Sequence, residues 1–126
     1  MDKKYVVRYY AEQRLFEIVF SNNINEDTII DCQREFRTCF EKNYQEKAFK
    51  ILLDATGYRH NNLALDRKIR MTFNDGWQPG ELENCVACAI VNDDHPAVDY
   101  RLEYNTNEKE WIFENRESAL EWLDRS

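Results

Sequence analysis

The chain has 126 residues, of which 43% are hydrophobic and 33% charged, with 24 acids against 17 bases and a net charge of −7. That length is about one domain, large enough for one core to bury roughly two-thirds of the unfolded surface. The acidic balance argues against nucleic-acid or anionic-membrane binding, because phosphate backbones are repelled over long range. No apolar run approaches the ~18–20 residues that span a bilayer. The first residues, Met1-Asp2-Lys3-Lys4-Tyr5, lack the apolar centre of a signal peptide, and the expected location is cytoplasmic.

In chain order, Tyr5–Tyr10 and Leu15–Phe20 read as strands rich in β-branched and aromatic residues, joined by the hairpin loop Ala11–Arg14. Asn25 is placed to cap a helix whose first turn carries Glu26 and Asp27, where the helix dipole favours negative charge. Ile29, Cys32, Phe36, Cys39 and Phe40 fall on one face of that helix, which fades near Asn43-Tyr44. Phe49–Leu53 is a mostly apolar strand, and Asp54, Thr56 and Gly57 break it into a loop. A second helix is expected from about Asn62 to Asn74, with Leu65, Ile69, Phe73 and Trp77 as its buried stripe. Asp75–Gly80 is a stop and turn cluster, and Cys85–Val91 a fourth strand. Asn92–Pro96 starts a third helix, in which Val98, Leu102 and Tyr104 face inward. Glu110–Phe113 is a short fifth strand, and Asn115 caps a last helix with Ala119, Leu120, Trp122 and Leu123 on its apolar side.

The order β-β-α-β-α-β-α-β-α predicts a single α/β domain over residues 1–126. Its sheet is mixed, largely parallel and of about five strands, with helices packed on it. No repeat, low-complexity tract or linker marks a second domain.

The four cysteines include the Cys-x-x-Cys spacing of Cys85 and Cys88. In a strand, residues three apart point to opposite faces, so these two sulfurs are expected to diverge. Cys32 and Cys39 share the apolar helix face, and all four read as small core residues with no metal or disulfide role. Enzyme signatures are missing: no phosphate loop, dinucleotide fingerprint, zinc-protease motif or nucleophile elbow occurs, and the chain has only 3 glycines. His60 has no nucleophile beside it, and His95 reads as a cap or surface residue. The acid pairs Glu81/Glu83 and Asp93/Asp94 sit in polar turns and are expected to be solvated.

The working edge is expected where the third strand hands over to the second helix. Open α/β sheets place their binding surfaces at such strand-to-helix loops. Asp54 ends the strand, Thr56 lies in the loop, Gly57 permits a tight turn, and Tyr58, Arg59 and His60 follow. The amides opening the helix at Asn62 form a potential anion site, with Arg67, Lys68 and Arg70 beyond. From Arg59 to Arg70 four basic residues stand against the single acid Asp66. The bland reading is a solvated helix face with Asp54 or Asn62 as a cap.

The element order and the segment Ile51-Leu52-Leu53-Asp54-Ala55-Thr56-Gly57-Tyr58 resemble the STAS domain of sulfate transporters and anti-sigma-factor antagonists. The likeness is closer to the stand-alone bacterial SpoIIAA-like branch, whose ending reads here as Phe113, Ala119, Trp122 and Leu123. The antagonist branch carries an Asp-Ser pair whose serine is phosphorylated. This chain has His60-Asn61-Asn62 there, and its nearest hydroxyl of that kind is Thr56, in the loop. Phosphoserine switching is therefore not carried over.

Two functions follow as expectations. In the first, the chain is a non-enzymatic regulatory module, without cofactor, docking an acidic or phosphorylated protein through the Asp54–Arg70 edge. In the second it is a lipid or small-ligand carrier, with the second helix and the Trp77 loop lining a cavity; the SpoIIAA-like fold is similar to lipid-transfer domains. Tyr5, Tyr9 and Tyr10 on the opening hairpin also suggest a homodimer through an unpaired sheet edge.

Overall fold

A computed structural model of the chain describes residues 5–20, 24–56, 77–92 and 109–126. In order, the described elements are β1 (Tyr5–Tyr10), β2 (Leu15–Phe20), α1 (Glu26–Asn43), β3 (Phe49–Asp54), β4 (Cys85–Val91), β5 (Glu110–Phe113) and α2 (Arg116–Asp124). A short 3-10 turn, Leu82–Asn84, leads into β4. The helices expected at 62–74 and after Asn92 lie outside the described residues.

The strands form one five-stranded sheet in the order β1-β2-β3-β4-β5. β1 and β2 are antiparallel, and β2, β3, β4 and β5 run parallel. The α/β class and the mixed, largely parallel sheet thus match the expectation. Asp54 is the one boundary that moves, since it still pairs with Val19 and Val91 as the last residue of β3.

Alternation along the strands divides the core between two faces. On one face Phe16, Ile18 and Phe20 of β2 meet Phe49 and Ile51 of β3 and the buried stripe Ile29, Cys32, Phe36 and Phe40 of α1. Aromatic rings fill this layer: Phe40 lies 5.1 Å from Phe16, 5.1 Å from Phe49 and 5.4 Å from Trp77, the last two edge-to-face. Burying Phe40 alone contributes roughly 2–3 kcal/mol. Trp77, expected as part of a helix stripe or cavity wall, packs among these rings. Tyr5 and Tyr9 belong to the same layer and are half-buried, because their parity on β1 turns them toward α1. Only Tyr10 of the three is exposed, at 36%.

The opposite face carries Leu15, Leu52, Ala87, Ala89 and Val91 against Ala119 and Leu123 of α2. The alanines of β4 leave room for the helix to lie close against the strand.

Both observed helices start where capping chemistry places them. Asn25 accepts from the Thr28 amide at 3.0 Å while the Thr28 hydroxyl accepts from the Asn25 amide at 2.7 Å, a reciprocal box. Asn115 accepts from the Ser118 amide at 2.9 Å. Such caps hold about 1 kcal/mol each.

The cysteine expectation needs correction. The β3–β4 register steps from Phe49↔Cys85 to Lys50↔Ala87, which makes Val86 an extra residue. That bulge resets the alternation, so Cys85 and Cys88 both pack toward the α1 side instead of diverging. No disulfide joins the four cysteines. Burial pushes the Cys85 thiol up to about 11 and the Cys32 thiol up to about 12. Their core character stands, though the geometry behind it differs.

Among the described residues no helix is long and apolar enough to cross a membrane.

Candidate functional site

The carboxyl ends of β3, β4 and β5 are stitched together just beyond the last strand residues. The Ala55 amide donates to the Val91 carbonyl at 2.8 Å, and the Asn92 amide to the Phe113 carbonyl at 2.9 Å. The Asn92 side chain donates to the Ala55 carbonyl at 3.1 Å. These bonds hold the start of the loop after β3 against the sheet, so the chain leaves from a fixed point.

Asp54 organises that exit. Its Oδ1 accepts from the Thr56 amide at 3.0 Å and from the Thr56 hydroxyl at 2.6 Å. This is the local bonding by which Asp and Thr shape turns. Its Oδ2 accepts from Arg116 Nη1 at 2.9 Å. Asp54 is buried and both its oxygens are engaged, whereas Thr56 is exposed.

Arg116 links Asp54 to a residue that strand periodicity alone does not flag. Its Nη2 donates to Glu17 Oε2. Glu17 lies on β2, pointing to the α2 side, and is 0% exposed. The Tyr10 hydroxyl donates to Glu17 Oε1 at 3.1 Å, and Arg8 Nη1 stands 3.6 Å from the same oxygen. Burial of the Arg116 guanidinium works to lower its pKa, but the bonds from Glu17 and Asp54 outweigh this and raise it. Arg116 is also the first residue of α2, where the helix dipole disfavours a cation. Two carboxylates below it offset that cost. At the other end of α2, the Lys50 amine donates to the Leu123 carbonyl, a cation where the dipole favours one.

A second ion pair fastens the segment before β4. Arg37 of α1 takes both oxygens of Glu81, each at 2.8 Å, and the Gln78 amide adds a third bond at 2.6 Å. Glu81, expected in a solvated turn, is 8% exposed. The Arg37 bonds hold its carboxyl below the usual carboxylate range, against the opposing effect of burial.

Of the residues proposed for the working edge, the structure places Asp54 and Thr56 at the end of β3, in direct contact. Gly57, Tyr58, Arg59, His60, Asn62, Arg67 and Arg70 lie outside the described residues. Glu17, Arg116, Arg8 and Tyr10 join the site from distant parts of the chain. The arrangement is a neutralised, hydrogen-bonded platform rather than a presented acid or base. Both oxygens of each carboxylate face a donor, and Glu17 is sealed from water. Among the described residues, no group of three or more His, Cys, Asp or Glu side chains gathers as metal ligands would.

The chain matches no family model, no curated protein and no solved structure.

Proposed function

We propose that this chain is a non-enzymatic interaction module of STAS-like, SpoIIAA-like character. It docks an acidic or phosphorylated protein partner through the loop after β3 and the basic segment containing Arg59, Arg67, Lys68 and Arg70. The observation that carries this reading is the engagement of Asp54. Its side chain is turned inward and tied at both oxygens, so it fixes where the loop leaves the sheet instead of reacting with a substrate. A rigid exit followed by a concentrated positive charge, in a chain of −7 overall, suits recognition of a negatively charged surface. Trp77, expected to line the carrier cavity, instead packs among the rings between α1 and the sheet, which favours docking over the carrier reading.

Affinity purification from the native cell tests the proposal. The double charge reversal Arg67→Glu with Arg70→Glu should remove the copurifying partner while the fold is retained. If every partner survives that reversal, docking through this edge is wrong. A stoichiometric copurifying lipid would select the carrier instead. The same reading makes the protein a cytoplasmic regulator and leaves β1, paired only with β2 among the described residues, as the edge for a homodimer. A monomer by sedimentation at high concentration would remove that dimer.

A further inference from the structure

We propose that Arg8 and Arg116 together form a receptor for a phosphoryl group carried by the docked partner. This rests on the docking reading above and gives it a ligand chemistry.

Glu17 is approached by two guanidinium groups, Arg116 at Oε2 and Arg8 at Oε1, and Asp54 shares Arg116, so two cations stand over two carboxylates. The Tyr10 hydroxyl already serves Oε1, and Thr56 already serves Asp54. Donors therefore exceed what the two carboxylates can take, because each guanidinium has more N–H groups than these contacts use. The surplus faces outward: the side chains of Arg8 and Arg116 are 60% and 41% exposed. Arg37 makes the contrast. Its fork is filled by Glu81 and Glu41, and its side chain is only 19% exposed. Arg37 is a structural bolt, while Arg8 and Arg116 are held from below and open above.

Buried Glu17 thus acts as an inner counterion to both guanidinium groups, Arg8 at one carboxylate oxygen and Arg116 at the other. Cross-strand pairing fixes Arg8 opposite Glu17, and the cap at Asn115 fixes Arg116 at the start of α2. A tetrahedral dianion can bridge two such forks with charge-assisted bonds, and its second charge distinguishes it from a carboxylate. The acidic remainder of the chain repels anions at longer range. A ligand overcomes that repulsion only through close, geometrically matched contacts to both arginines.

The test titrates the full chain with inorganic phosphate, and separately with O-phospho-L-serine, at constant ionic strength set by sodium chloride. Backbone amide shifts of Tyr10 and Thr56 and the Nε–Hε signals of Arg8 and Arg116 are followed. Both ligands should give saturable shifts at the two arginines, and chloride should give none. Arg8→Gln should weaken binding by at least about tenfold while lowering the unfolding midpoint only slightly, because Arg8 is 60% exposed and Glu17 keeps Arg116 and the Tyr10 hydroxyl. Arg116→Lys keeps the charge but loses the planar fork and should weaken binding as well. Non-saturating shifts, an equal response in the Arg8→Gln variant, or binding of phosphate without its serine ester would each overturn the receptor. The docking reading is tested apart: partner capture lost on reversal of Arg67 and Arg70 sustains it even if no phosphate binds.

Discussion

Replacing Arg116 by methionine removes the side chain that, among the described residues, spans Glu17 and Asp54 while keeping an apolar stem of similar length. Taking one partner from a buried ion pair costs about 3–5 kcal/mol, because a charge is left in a dry place. Three features reduce that figure here. Arg116 is 41% exposed, so its attraction to the carboxylates is partly screened by water. Glu17 keeps the Tyr10 hydroxyl and the nearby Arg8. Removing a cation from the first turn of α2 returns about 0.3–1 kcal/mol from the helix dipole. The expected loss is about 2 kcal/mol, a substantial share of the 5–15 kcal/mol typical of a domain. It corresponds to a fall in melting temperature of roughly 5–10 °C. Urea denaturation followed by circular dichroism measures it. Adding Glu17→Gln to the variant should cost less than the two single losses combined, since neutralising Glu17 removes the uncompensated charge. A loss below about 0.5 kcal/mol for Arg116→Met, or strictly additive losses, would refute the claim that Glu17 depends on this arginine.

Two further outcomes follow from the same geometry. Glu81 is held below its ordinary value of 4.5 by Arg37, so the stability it contributes is present above that value and is lost as pH falls through the depressed one. Glu81→Gln should therefore cost about 1–3 kcal/mol at neutral pH, with the gap to the parent narrowing in acid; a gap unchanged down to strongly acidic pH contradicts this. The thiols of Cys32 and Cys85, raised to about 12 and about 11 and buried, should resist iodoacetamide at pH ~8 until the chain unfolds, because the thiolate is the reactive form. Mass spectrometry of briefly alkylated native protein checks this, and rapid labelling of either residue counts against the packing of the α1 layer.

What could be read in the sequence was local. The bounds of β1, β2, β4 and β5 and both asparagine caps follow from periodicity and side-chain chemistry within a few residues. The polar exit at Asp54 was legible for the same reason. The ion pairs were not, because Arg116 reaches Glu17 across 99 positions and Arg37 reaches Glu81 across 44. No short-range pattern encodes such partners. One signal did exist: an arginine directly after a helix cap sits where the dipole opposes it, and that asks for a carboxylate nearby. The bulge at Val86 escaped for a different reason, since an inserted residue leaves the apolar run intact while shifting which side each cysteine faces.

In this sheet, strands next to one another in space are also next to one another along the chain. Growth can proceed by adding each strand to its predecessor, so few distant ends must meet before the ladder closes. The contact between Arg116 and Glu17, across 99 positions, joins distant parts of the chain, as do those of Lys50 with Leu123 and Arg37 with Glu81. An interaction made after the barrier has been crossed does little for the speed of assembly and much for the lifetime of what has been assembled. If Arg116 docks last, Arg116→Met should speed unfolding more than it slows folding, which stopped-flow kinetics measures.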